Sequence, residues 1–229
     1  MSQPANPATT LSLPRERLHA LRAWLKQHSF DGVIVPRQDE FQGEYVSPYA
    51  ERLRWLTGFS GSWGLAIVTL QRAAIFVDGR YTVQVRQQVD TKLFEPQHLI
   101  TQPPAAWIKA HLPAGQRLAY DPWLMTMDEA ARFRTACEAA KAELVPTDGN
   151  AIDAIWPGQP ARPASPIRLQ PARLAGATAA TKLAAIAEDL KTRKADAVLL
   201  CDTTSVAWAL NIRASDIPHT PVALAYAIV

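Results

Sequence analysis

The pattern of apolar and polar positions along this chain predicts an α/β fold. Leu18, Leu21 and Leu25 recur at i, i+3 and i+7, which puts them on one face of a helix. Ser12 and Pro14 supply its start signal. Asp31-Gly32 turns the chain into Val33-Ile34-Val35, a β-branched run closed by Pro36 that reads as a buried strand. A long polar loop follows over 37–50, and residues 51–57 read as a helix ending at Gly58. Leu65 to Val68 and Ala73 to Val77 are two apolar runs across a short turn, a hairpin pattern. Helices are expected over 81–89, 105–112 and 127–141, with short strands at 118–120 and 144–145. Pro157, Pro160, Pro163, Pro166 and Pro171 crowd residues 156–172, which therefore run extended. Beyond them lie a helix over 181–191, a strand at Val198 to Leu200, a helix over 204–210 and a strand from Ala225 to Val229.

The same order of elements occurs twice. Leu18, Leu21 and Leu25 match Leu183, Ile186 and Leu190, and Val33-Ile34-Val35 matches Val198-Leu199-Leu200, all at an offset of 165. The stretch from Arg54-Trp55-Leu56 to Ser62 matches that from Ala207-Trp208-Ala209 to Ser215 at an offset of 153. Ala66-Ile67-Val68 matches Ala227-Ile228-Val229 at 161. The second copy has no counterpart of the strand 73–77, of the helix 81–89 or of the elements beyond them. It is expected to need support from the first copy or from another chain, and to show a free strand edge over 224–229 that invites association.

Composition narrows the function classes. A net charge of +3 is spread over both halves, with no Lys/Arg cluster interleaved with aromatics, which argues against nucleic acid. No apolar run reaches the roughly 20 residues that span a bilayer. The polar, Pro-rich start has no signal-peptide core. Cys137 and Cys201 stand far apart, as expected for a reducing compartment, so a soluble, cytoplasmic protein is expected.

Candidate chemistry is sparse. The five histidines, His19, His28, His98, His111 and His219, show no metal-ligand spacing, and no carboxylate cluster surrounds them. No catalytic residue and no metal ligand is assigned, and no nucleophile–base arrangement is visible. Gly58, Gly61 and Gly64 lie between a helix and a strand, the wrong order for a phosphate loop, and read as a turn of unusual φ. Asp78-Gly79-Arg80-Tyr81 follows a strand and opens a helix. Asp78 there reads as an N-cap paired with Arg80, or as part of a substrate-facing motif. Trp24, Trp55 and Trp208 lie on apolar helix faces and read as core. Arg213, Asp216 and His219, on a Pro-containing loop, are the best candidates for meeting a substrate or another domain. The alternative is that Arg213 and Asp216 pair to hold the loop while His219 sits in a turn.

Three motifs carry a resemblance. Glu51 to Ser62 (ERLRWLTGFSGS), Phe76 to Tyr81 (FVDGRY) and Ser205 to Val222 (SVAWALNIRASDIPHTPV) resemble the front of aminopeptidase P, the Xaa-Pro aminopeptidases of the creatinase/prolidase family. Ile155-Trp156 and Arg162-Pro163 resemble that family's inter-domain stretch. The resemblance implies a leader over 1–14, a first creatinase-like domain over 15–155, a Pro-rich segment over 156–172 and an incomplete second creatinase-like domain over 173–229. It also implies a catalytic domain, absent here, that holds two divalent ions, usually manganese, and releases the residue preceding proline from peptides. The chain itself is then expected to be inactive, shaping substrate access and assembly, or else to act alone in binding or as a homo-oligomer. Thr204 stands where the family usually has Asp, and Ala214 where it usually has Gly, a position where alanine is expected to be strained.

Overall fold

The computed structural model describes residues 13–229, so the expected start signal at Ser12 and most of the leader lie outside the described residues. The chain forms two compact units. The first holds residues up to Arg37 together with Glu51–Pro160, and the second holds Gln38–Ala50 together with Ala161–Val229. The loop 38–50, which the sequence assigns to the first domain, is thus part of the second unit.

The first unit is built on six strands: β1 (Gly32–Pro36), β2 (Leu65–Thr69), β3 (Ala73–Val77), β4 (Glu95–His98), β5 (Arg117–Tyr120) and β6 (Glu143–Pro146). They form one mixed sheet in the order β4-β3-β2-β1-β5-β6. The antiparallel pair β2–β3 is the expected hairpin and β1 adds antiparallel beside β2, whereas β5, β6 and β4 join in parallel. Among the described residues, five α-helices cover it: α1 (Pro14–Gln27), α2 (Arg52–Thr57), α3 (Thr82–Gln88), α4 (Pro104–His111) and α5 (Met127–Ala139).

Both sheet faces are buried, which is why its central strands are nearly continuous apolar runs. Val33, Val35, Val68 and Ile75 point to one face, against Leu18, Leu21 and Leu25 of α1 and Leu53 and Leu56 of α2. Ile34, Ile67 and Phe76 point to the other, against Trp107 and Ile108 of α4 and Cys137 of α5. Leu21 and Leu25 are fully buried, as the i, i+3, i+7 pattern requires. Arg52, 3% exposed, ties the start of α2 to a distant turn. Its Nε and Nη2 donate to the two carboxylate oxygens of Asp153 at 2.6 and 2.7 Å.

Of the three glycines after α2, only Gly58 adopts positive φ, at 84°, ending the helix in a left-handed turn. Gly61 and Gly64 are there for space. A Cβ on Gly61 would overlap the Phe59 ring, and one on Gly64 would lie 2.9 Å from the Phe76 carbonyl oxygen. Strand β4 (EPQH) is not legible from hydrophobic pattern. Polar and proline-containing, it is held at the sheet edge by β3 alone, where a missing N–H is tolerated.

The second unit contains β7 (Arg168–Leu169), α6 (Ala172–Ala175), α7 (Ala179–Arg193), β8 (Leu199–Leu200), α8 (Thr203–Ala209), β9 (Ile212–Arg213) and β10 (Ala227–Ile228). The repeat read from the sequence recurs in its geometry. In β1–β2, Ile34 faces Ile67 and Val35 faces Ala66. In β8–β10, Leu199 faces Ile228 and Leu200 faces Ala227, the partners that the sequence offsets give. Val198 and Val229 exchange backbone hydrogen bonds at 2.9 and 3.0 Å, as counterparts of the pair Val33 and Val68. Left-handed residues repeat as well, with Ser29 (φ 57°) matching Lys194 (φ 55°) and Gly58 matching Asn211 (φ 51°).

Candidate functional site

The candidate loop starts from α8. Asp202 caps this helix by accepting from the Ser205 amide at 2.7 Å, and from the Ser205 and Thr204 hydroxyls. The Thr204 hydroxyl bond is the main cause holding the Asp202 carboxyl below its usual range. Thr204, where the family usually has Asp, therefore acts as a donor to the cap. At its other end α8 runs into Asn211, whose left-handed backbone turns the chain into β9.

A residue that sequence reasoning missed holds this turn. Lys182, on the first turn of α7, is only 6% exposed. Its Nζ donates to the Trp208 carbonyl at 3.0 Å and to Asn211 Oδ1 at 2.6 Å, and lies 4.6 Å from the centre of the Trp208 ring. Asn211 Nδ2 donates onward to the Ala177 carbonyl at 2.9 Å. A cation at the C-terminal end of a helix also meets the negative end of its dipole. No sequence pattern marks a buried lysine. Its one signal is its place directly before Leu183 on a helix that the repeat locates.

The three candidate side chains do not converge. Arg213 Nη1 donates to the carbonyls of Ala207 at 3.0 Å and Ile212 at 2.7 Å, and Arg213 lies in β9, paired with Arg168 of β7. Asp216, 8% exposed, accepts from the Ser165 amide at 3.0 Å, the Ser165 hydroxyl at 2.5 Å and the Leu224 amide at 2.9 Å. Burial works against its ionisation, but these hydrogen bonds outweigh it and hold the carboxyl below its usual range. The considered Arg213–Asp216 ion pair is not formed, because Asp216 is taken up by the Pro-rich segment. Ser215 donates its amide to Ser165 Oγ at 2.8 Å, completing the stitch. His219 is exposed at positive φ (62°) in the turn from Ile217 to Thr220. Ala214 is not strained: positive φ falls at Asn211 and His219 instead, and Ala214 is buried at 1% exposure.

In the first unit, Asp78 accepts from the Arg80 amide at 2.9 Å and from its guanidinium at 2.8–3.2 Å. The Arg80 side chain is the main cause holding the half-buried Asp78 carboxyl below its usual range. The Tyr81 hydroxyl meets Ser62 Oγ at 2.9 Å, linking the motif to the turn after α2. Trp55 stacks on Trp156 at 5.2 Å, but Trp208 is 52% exposed and serves as a platform for Lys182, not as core. Burial pushes the Cys137 thiol up to about 11, which leaves it unreactive. Among the described residues no group of three His, Cys, Asp or Glu side chains is placed to hold a metal ion. Among the same residues no helix is long and apolar enough to cross a membrane.

Two family models, both described as a creatinase/prolidase N-terminal domain, match residues 17–155 and residues 158–229 respectively. The chain belongs to this family. It is 32% identical over 223 residues to Xaa-Pro aminopeptidase 2 of Homo sapiens, covering 96% of this chain and 32% of the relative. It is 34% identical over 218 residues to aminopeptidase P1 of Lotus japonicus, covering 93% and 32%. In fold it is similar to X-prolyl aminopeptidase from Caenorhabditis elegans, described as a cytosolic enzyme with a di-nuclear active site. That match has a TM-score of 0.86 at 30% identity and covers 95% of this chain and 37% of that one. The chain thus spans about a third of the length of these relatives, and both creatinase-type units lie within that third.

Proposed function

We propose that this chain is the non-catalytic front of a cytoplasmic Xaa-Pro aminopeptidase-type metallopeptidase, where it shapes substrate access and assembly. The observation that carries the reading is the match of both units, over 95% of the chain, to one X-prolyl aminopeptidase at a TM-score of 0.86. In this reading the two divalent ions, manganese by resemblance, and the cleavage of proline-containing peptides belong to residues outside the 229 present here. The loop with Arg213, Asp216 and His219 then borders the path of the peptide. Asp216 and Arg213 hold its shape through Ser165 and the Ala207 and Ile212 carbonyls, which leaves the exposed His219 as the side chain free to meet substrate.

The test is direct. The chain is incubated with Mn²⁺ and a Xaa-Pro peptide, and amino-acid release and bound metal are measured. The expected result is no turnover and no stoichiometric metal. Turnover with tightly held manganese would overturn the non-catalytic assignment.

A second reading, a stand-alone interaction or oligomerisation protein, is favoured by one observation. Leu199 and Ile228 face each other across β8–β10 and are 58% and 77% exposed. Light scattering separates the two. A mass that stays monomeric at high concentration removes the oligomer reading.

A further inference from the structure

On the second face of the first unit's sheet, the chain entering β2 and the helices α4 and α5 leave a cavity of about 410 Å³. Its body is apolar: Trp63, Leu65, Leu99, Phe133 and the Pro103-Pro104 pair that opens α4. Trp63 is 41% exposed there, a large ring left without a cover. The volume falls in the range of small-molecule sites, which are mostly apolar with a few placed polar groups.

Two charged residues of α5 line the same cavity, and they differ in availability. Glu129 is committed to its own helix. Its Oε2 accepts from the Thr126 amide and hydroxyl, each at 2.9 Å, closing the capping box of α5. Arg132 is not so committed. Its Nε makes one long bond, 3.3 Å, to the Asp128 carbonyl, and its two terminal nitrogens make no hydrogen bond or ion pair among the described residues. A guanidinium with its fork free presents two parallel donors matched to a carboxylate.

We propose that this cavity binds a small apolar carboxylic acid. An aryl or branched alkyl body lies among Trp63, Leu99 and Phe133, and the carboxylate takes the free edge of Arg132. A single cation with Glu129 one turn away suits a monoanion and disfavours a phosphate dianion, whose second charge would meet no partner. The site lies wholly within the first unit and does not rest on the function proposed above.

The experiment titrates the 229-residue chain with 3-phenylpropanoate and with its neutral isostere 3-phenylpropanamide. Tryptophan indole and arginine side-chain resonances are followed by NMR. The expected result is saturable binding of the acid with shifts at Trp63 and Arg132, and an amide about tenfold weaker. Arg132→Gln is expected to bring the acid down to the level of the amide without changing the thermal midpoint, because the side chain is exposed. Trp63→Ala is expected to weaken both ligands. Equal affinity of acid and amide for the native chain overturns the proposal. So does an acid affinity unchanged in Arg132→Gln, or the absence of saturation up to about 10 mM. A Trp63 resonance that shifts with protein concentration alone would make a second copy the occupant and would equally overturn it.

Discussion

Asp216 shows how much one buried carboxylate can settle. Its pKa is depressed in the folded chain, so the unfolded chain binds the proton more readily. The stability it contributes is therefore complete above the ordinary value of 3.8 and is lost as pH falls through the lower folded value. Asp216→Asn is expected to lower the stability of the second unit by about 1–3 kcal/mol at pH 7 and to cost less once the pH lies below the folded value. Hydrogen exchange of the Leu224 and Ser165 amides at pH 7 and below that value measures this. Lys182 gives a parallel case. Lys182→Met leaves the Asn211 and Trp208 oxygens without their donor, and the amides at the end of α8 are expected to exchange about tenfold faster. Neither role was legible in the sequence. The motif around Asp216 was visible as a run of polar residues on a Pro-containing loop. Its partner, Ser165, lies 51 positions away, and nothing local marks the pair.

At the scale of elements, hydrophobic period located α1, β1, β2 and β3, because each buries a face or both faces in a core. It failed for β4, which holds its place by backbone pairing and not by apolar side chains. It also gave no hint of β7 and β9, two residues each, which close on one another only because the Pro-rich segment returns along the candidate loop. The repeat offered the strongest sequence signal, since its offsets carry over into the register of β8–β10. Equivalent elements are nonetheless unequally loaded. Leu21 of α1 is fully buried, whereas its counterpart Ile186 on α7 is partly exposed, and α7 buries only Lys182. Leu21→Ala is expected to cost about 2–5 kcal/mol, and Ile186→Ala less than about 1.5 kcal/mol, in chemical denaturation followed separately for each unit. Gly58→Ala places a side chain at φ 84° and within 3.1 Å of the Gln88 carbonyl oxygen, and is expected to cost about 1–2 kcal/mol.

Across the whole molecule, the division into units does not follow the chain. Residues 38–50 are held in the second unit by Glu40, whose side chain is 7% exposed. Its carboxylate accepts from the Tyr49 hydroxyl at 2.6 Å and pairs with Arg162 at 2.9 Å. Burial, helped by that bond to Glu40, raises the Tyr49 hydroxyl well above its usual range. The Tyr226 hydroxyl donates to the Glu40 carbonyl at 2.6 Å, and its ring stacks on Phe41 at 4.7 Å. Val46, Tyr49 and Ala50 form a small core with Leu224. Tyr226→Phe keeps the stack but loses the bond, and is expected to raise amide exchange across 39–42 several-fold with no change in the first unit. A cut after Pro157 should leave the fragments 1–157 and 158–229 associated on a gel-filtration column, because 38–50 and 161–229 complete one unit between them. The same interleaving sets a timetable for synthesis. Residues 51–160 leave the ribosome between the two parts of the second unit, an interval of roughly 5–20 s at ordinary elongation rates. During that interval Val46, Tyr49 and Phe41 have been made, but Leu224 and Tyr226, which complete their packing, have not. The second unit therefore cannot close until residues 161–229 have been made, and a chaperone that recognises exposed aromatic residues would have its window before then.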